Sequence, residues 1–339
     1  MTGEELLGLA RDRSGGAALA DLPSARDEAH KYTPFVRLLG DVPAAVASLR
    51  TLGEGLEPSE LPVRDAWSAL ALGATVRTPS HGRVDVVHDL EGDGVAGAGL
   101  VVEADGDLLL VERFTGSAGL ALPCATIRVP AGVTVEHVRV VDADGRHAGR
   151  VTVEVEGGGR YRLVSVVAGG AVDRVEIDVR LSDASAEADL HGLVVIGGSQ
   201  HADHHVTVRH DAPSCTSHQE FRALVSDRAR SVFTGRVVVR RGADGTDASQ
   251  LHRALLLSDT AVANARPQLE IHTDDVKASH GTAVGTLDDE ALFYLRQRGL
   301  DANQARALLV GAFAAEVVDA APEAAREALR ADLQRWTSR

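Results

Sequence analysis

The sequence reads as mainly β through its middle, with helices on either side. Three observations carry that reading. Short Val-rich runs recur between Gly and Asp turns from about residue 83 to 285. Apolar residues recur at helical spacing before and after that stretch. The chain is 44% apolar but only 3% aromatic, so Val, Ala, Leu and Gly must fill its core. Such a composition suits thin, repetitive β layers better than one thick core. The three regions are residues 1–79 (helical), 80–285 (β) and 286–339 (helical).

In the first region, residues 4–13 place Leu6, Leu7, Leu9 and Ala10 near one helical face. Ser59 can cap a second helix carrying Val63, Ala66, Trp67, Leu70 and Ala71. In the middle region the runs are VDVV at 84–87, LVVE at 100–103, LLLV at 108–111, VRVV at 138–141 and VTVEV at 151–155. They continue as VEIDV at 175–179, LVVI at 193–196, VTV at 206–208 and VVV at 237–239. Several alternate apolar with polar residues, the mark of a half-buried strand. Strands this short and numerous must stack on neighbours to bury their faces. A sandwich, a barrel and a β-solenoid all satisfy the pattern, and no strict repeat length chooses among them.

The last region returns to helices. Asp288 or Thr286 can cap one that ends near Gly299. Asp301 with Gln304 fits a capping box. The helix that follows sets Ala305, Leu308, Leu309, Ala312, Phe313 and Val317 on one apolar face. Pro322 opens a third helix with Ala325, Leu329, Leu333 and Trp336 in line.

Charge and cysteine content exclude several classes. The 35 Lys and Arg against 49 Asp and Glu give −14, which argues against sequence-independent nucleic-acid binding. Two cysteines, Cys124 and Cys215, build neither a disulfide framework nor an all-Cys zinc site, and suit a reducing cytoplasm. No apolar run reaches membrane-spanning length. The chain has no GxxxxGK[ST] phosphate loop and no HExxH. GDGVAG at 92–97 fits GxGxxG, but a strand-like run follows it where a dinucleotide fold needs a helix.

Two constellations hold candidate metal ligands. In HADHHVTVRH at 201–210, strand geometry sends His201, Asp203 and His205 to one face and His204 and His210 to the other, with Cys215 and His218 close behind. Imidazole, carboxylate and thiolate suit transition metals, so His201, His205 and Cys215 are candidates. The bland alternative is a hydrogen-bonded polar ladder. In DDVKASHG at 274–281, Ala278 and His280 lie two apart and point the same way in an extended chain, which makes His280 the other candidate. A third segment, FTGRVVVRRGADGTDASQ at 233–250, reads as structural, with Gly235 for a close approach and Thr246 and Gln250 for turn or stacking hydrogen bonds.

The run PQLEIHTDDVKASHG at 267–281, followed by DDEALFYLRQRG at 288–299, resembles a signature of the SufB/SufD proteins of SUF-system iron–sulfur cluster assembly. Their pattern is PQLEIxxDDVxCSHG, then FYLxxRG. LPSARDEAHKYT at 22–33 resembles the family's N-terminal LPxxRxExWKYT, with His30 in place of Trp. The likeness runs in patches from about Leu22 to Phe313 and is dense from His201 to Gly299. It implies a right-handed parallel β-helix core and a non-catalytic scaffold subunit, nearer SufD for its low thiol content. It also implies pairing with a SufB-like subunit or a second copy, and docking of a SufC-like ABC-type ATPase on the C-terminal helices, where Phe293, Leu309 and Phe313 are the candidate contacts. His280 would then lie at the subunit interface where a nascent cluster forms. Ala278 stands where many members hold cysteine, so no cluster is expected to bind this chain stably, and any iron or cluster would be transient. The rival from another class is a β-helix enzyme acting on carbohydrate through paired carboxylates such as Asp274/Asp275 and Asp288/Asp289. Its weaknesses are the scarcity of sugar-stacking aromatics and the absence of a secretion signal.

Overall fold

The computed structural model describes residues 48–61 and 74–338. The helices expected at residues 4–13 and 63–71 lie outside the described residues. Inside the same expected helical region, Ser48–Leu52 (β1), Glu57–Pro58 (β2) and Thr75–Arg77 (β3) are strands. The reason is pairing. β1 lies antiparallel on Gly82–Glu91 (β4), β2 pairs antiparallel with β3, and β3 pairs parallel with Val95–Glu103 (β5). Backbone pairing with a preformed sheet outweighs local propensity.

From β4 onward the chain winds into a parallel β-solenoid with two walls. One wall stacks β4, the first part of Leu108–Val129 (β6), Thr134–Val141 (β7), Arg160–Val167 (β9), Glu187–Ile196 (β11), Thr216–Val225 (β13), Thr246–Leu256 (β15) and Val276–Gly285 (β17). The other stacks β5, the second part of β6, Asp144–Val155 (β8), Val172–Leu181 (β10), His201–His210 (β12), Arg230–Val239 (β14) and Val262–Ile271 (β16). Here the β-helix implied by the resemblance is realised. β6 serves both walls by bending at Gly116, whose φ of +83° suits glycine, and where a Cβ would lie 2.2 Å from the Leu90 carbonyl oxygen.

Alternation decides what fills the space between the walls. Val84, Leu110, His137, Leu163 and Leu190 stack as one inward column of the first wall. Val151, Ile177, Val206 and Val153 face them from the second. Three helices follow, Asp289–Gln297 (α1), Ala302–Asp319 (α2) and Glu323–Thr337 (α3). Asp288 caps α1, accepting from the Glu290 and Ala291 N–H groups, and Asp301 with Gln304 closes the expected capping box on α2. Gly299, just past α1, has φ +95°. None of the described helices is long and apolar enough to cross a membrane.

α2 and α3 cover the outer face of the first wall. Val111, Val138, Val140, Val164, Val166, Leu193 and Leu224 meet Val310, Ala314, Val317, Leu329, Leu333 and Trp336 in one cluster. The apolar face of α2 is the expected one only in part, with Leu309 and Phe313 half-buried. Ala305, Val310, Ala314, Val317 and Val318 are buried, while Ala312 and Leu308 are exposed, Leu308 by 51%. The wall selects the stripe that fits its valines. The α3 face is as expected, and polar contacts anchor it. Arg113 pairs with Asp332 at 2.7 Å, and Trp336 Nε1 donates to Asp142 at 2.9 Å.

Candidate functional site

The last turn of the solenoid holds the residues that the family signature singles out. Ala278 and His280 lie on β17, in register with Ala248 and Gln250 of β15. Alternation places both in inward columns, on the same face, as the spacing predicts. One turn earlier the equivalent positions are closed off. Ala248 is 1% exposed and Gln250 2%, with the Gln250 amide donating to Gln219 Oε1 at 3.0 Å. His280 itself is exposed. The column of buried glutamines thus ends in an accessible imidazole.

Among the described residues, the backbone at this end is also open. Asp247 and Leu257 donate their N–H groups back to Cys215 and Val225 in the preceding turn. A parallel ladder alternates. The odd residues of β15 therefore face β13, the even ones face β17, and Ala278, His280, Thr282 and Val284 turn their N–H and C=O groups to the free edge. On the other wall Val262 and His272 donate back to Ala229 and Val239. Pro267, of the opposite parity, thus stands at an edge-facing position where its missing N–H costs no ladder bond. The edge of β16 is blunted by proline, whereas β17 carries none.

The second constellation does not form one centre. His201, Asp203 and His205 do share the outer face of β12, and His204 and His210 point inward. But His201 and His205 are four residues apart on one strand, about 13 Å at 3.3 Å per residue, too far for one ion. Asp203 is fully buried, its Oδ2 accepting from Arg174 at 2.7 Å, with His205 Nε2 3.1 Å from Oδ1. Cys215 lies elsewhere, at the turn into β13. It is buried in the core with Sγ donating to the Asp183 carbonyl at 3.2 Å, and burial raises its pKa. Cys124 is buried as well. Gly235, Thr246 and Gln250 behave as expected. A Cβ on Gly235 would lie 2.0 Å from Gln250 Nε2, and Thr246 Oγ1 donates to the Ala243 carbonyl at 2.8 Å.

Sequence reading missed a polar network inside the early turns. Glu112, buried, receives His88 Nε2 at 2.9 Å and His137 Nε2 at 3.2 Å, with Arg139 Nε 3.4 Å away. Burial pushes its pKa up, but hydrogen bonds from His137 and His88 and the nearby cations outweigh this and hold the carboxyl well below its usual range. His137 also bonds the Tyr161 hydroxyl at 2.9 Å, and His147 Nδ1 lies 3.0 Å from Asp173 Oδ2. Further along, His204, Phe221, Phe233 and His252 form a ring ladder, the last pair stacked at 4.9 Å and 10°. Each polar member sits at an inward position of a Val-rich run. That alternation was the available signal.

Of the candidate partner contacts, Phe293 is 64% exposed on α1, a helix with no buried residue. Tyr294 beside it is 57% exposed. Leu309 is half-buried. Phe313 is turned toward the wall, half-buried beneath the Arg222 guanidinium at 5.0 Å. On the three helices the exposed large apolar set is therefore Phe293, Tyr294 and Leu308. The rival carbohydrate reading loses a carboxylate, because Asp288 serves as the α1 cap.

Comparison with known proteins agrees with this architecture. The family described as "SUF system FeS cluster assembly, SufBD core domain" matches residues 95–313. A SufBD family protein of Synechocystis is 37% identical over 163 residues, covering 48% of this chain and 36% of that protein. Iron-sulfur cluster assembly protein SufD of Escherichia coli is 36% identical over 156 residues, 46% of this chain and 37% of that protein. The chain thus matches little more than a third of the length of these two. A SufBD family protein of Mycobacterium tuberculosis is 31% identical over 365 aligned positions, 93% of this chain and 89% of the relative. With its solenoid and its matched core, the chain belongs to the SufB/SufD family of SUF-system iron–sulfur cluster assembly proteins and is SufD-like.

Proposed function

We propose that the chain is a non-catalytic scaffold subunit of a SUF assembly complex. It pairs through the open edge of β17 with a SufB-like subunit and carries a SufC-like ATPase on α1 and the start of α2. The observation that carries this reading is the uncapped last turn. Of its inward positions, closed one turn earlier, His280, Thr282 and Val284 are exposed and Ala278 is half-buried, and among the described residues its backbone edge is unprotected against a further strand. A partner strand laid along β17 would bring its side chains beside His280. With Ala278 in place of a thiol and both cysteines buried, His280 offers one nitrogen. Iron–sulfur clusters prefer thiolates, so the partner supplies the thiols and any iron or cluster is cargo of the pair.

The test is co-expression with a SufB-like and a SufC-like protein, followed by affinity capture and mass measurement. Thr282→Pro removes only an edge-facing donor, so it should abolish pairing and leave the melting temperature within a degree or two. Phe293→Ala with Tyr294→Ala should reduce ATPase capture at least tenfold, because exposed aromatic anchors dominate interface energies. Pairing that survives Thr282→Pro, with capture unchanged by the aromatic variants, would overturn both assignments.

A further inference from the structure

One cluster on the outer face of the first wall plays no part in this scheme. β11 and β13 are neighbours, with Asp189 opposite His218 and His191 opposite Glu220. Alternation sends all four outward, since Leu190 and Gln219 between them are fully buried. One ligand atom each from Asp189, His191 and His218 can be chosen so that all lie within 4.8 Å of one another. Asp189 Oδ1 is 3.0 Å from His191 Nε2, and the two imidazole centroids are 5.7 Å apart. An ion bonded at about 2.0–2.2 Å to N and O ligands spans donors roughly 3–4 Å apart, so small rotamer adjustments close the set.

The surroundings hold the rings in place. His218 Nδ1 lies 2.7 Å from Ser249 Oγ, which leaves Nε2 turned to the cluster. An imidazole whose other nitrogen is hydrogen-bonded is the usual form of a metal-ligating histidine. His191 is only 13% exposed, and its Nδ1 is buried without a hydrogen-bond partner. Glu220 Oε2 is 4.0 Å from His218 Nε2, while Oε1 is held at 2.6 Å by Arg222. Arg222 is fixed in turn by donating to the Phe313 carbonyl on α2 at 2.8 Å. The carboxylate nearest an open coordination position is thus braced by the helix layer.

We propose that Asp189, His191 and His218 bind one divalent first-row transition metal ion, with Glu220 or water completing its coordination. Two imidazoles and a carboxylate favour Zn²⁺, Fe²⁺ or Co²⁺ over Ca²⁺ or Mg²⁺, and the lack of thiolate disfavours Cu⁺. The site lies two strands from the free edge, about 10 Å along the solenoid axis at 4.8 Å per strand. It does not depend on what pairs with β17.

The metal-free full-length chain should be titrated with Co²⁺, read by its visible absorption, and then with Zn²⁺ in competition. One equivalent should bind and be displaced by Zn²⁺. His191→Ala and His218→Ala should each weaken binding at least tenfold, with His218→Gln as a second variant should the alanine change disturb folding. The double variant His201→Ala, His205→Ala should bind as wild type. Zn²⁺ should raise the melting temperature of the wild type and leave that of His218→Gln unmoved. Absence of saturable binding, or binding that survives loss of His191 and His218, would overturn the proposal. So would equal loss in the His201, His205 double variant.

Discussion

Acid should destabilise the solenoid interior, and His252→Phe should relieve a measurable part of that. His252 stacks flat on Phe233, its Nδ1 buried without a hydrogen-bond partner. Burial, and then the proximity of His204, lower its pKa from 6.5 to about 4. His204 and His210 are lowered to about 4 in the same way, burial first. The unfolded chain therefore binds protons that the native chain refuses. Stability from these groups is fully present above about pH 6.5 and is lost as pH falls toward 4. At pH 5 an unfolded histidine is almost fully protonated and the folded one roughly a tenth, which amounts to about 2 kcal/mol per residue. Three such residues approach about 6 kcal/mol, a large share of an ordinary domain's stability. The assay is urea unfolding at pH 7.5 and pH 5.0, followed by circular dichroism. Comparing the two pH values cancels the steric cost of the larger ring, so His252→Phe should lose about 2 kcal/mol less than wild type between them. Equal losses in the two proteins would refute the burial argument.

Two further outcomes test the packing. Glu112→Gln keeps the shape but leaves Arg139 without its buried counter-charge, so it should cost about 3–5 kcal/mol in unfolding free energy. Leu329→Ala opens a cavity between α3 and the wall and should cost about 2–5 kcal/mol, with a change in Trp336 fluorescence as α3 loosens.

The strands were legible because alternation is a local property of the chain. Their register was not. The turn advances by 26 residues from Gly82 to Leu108 and by 32 from Arg230 to Val262, so no fixed period reveals which residues stack. His88, Glu112 and His137 therefore looked like isolated polar residues in apolar runs, although stacking brings them into one network. The same cause hides the Asp189, His191 and His218 cluster from the sequence. His201 and His205 are close in sequence but are separated by the rise of a strand. His191 and His218, 27 residues apart, are brought together by one turn of winding. Helix caps were readable because Asp288, Asp301 and Gln304 act within one turn of themselves. The buried stripe of α2 was legible only in part, because it answers to a wall of valines and leucines drawn from several strands. His280 was found through its signature, and its exposure follows from ending a column that only the wound chain defines.

The two described ends of the solenoid differ, and the difference gives assembly a direction. At one, β1 lies antiparallel on β4, while β3, itself paired antiparallel with β2, lies on β5. At the other, Pro267 blunts one wall and leaves β17 as a single receptive edge. A rod with two sticky ends would string copies into open filaments. Two ends of different make do not match each other head to tail, so under the proposed pairing through β17 growth would stop at a discrete pair.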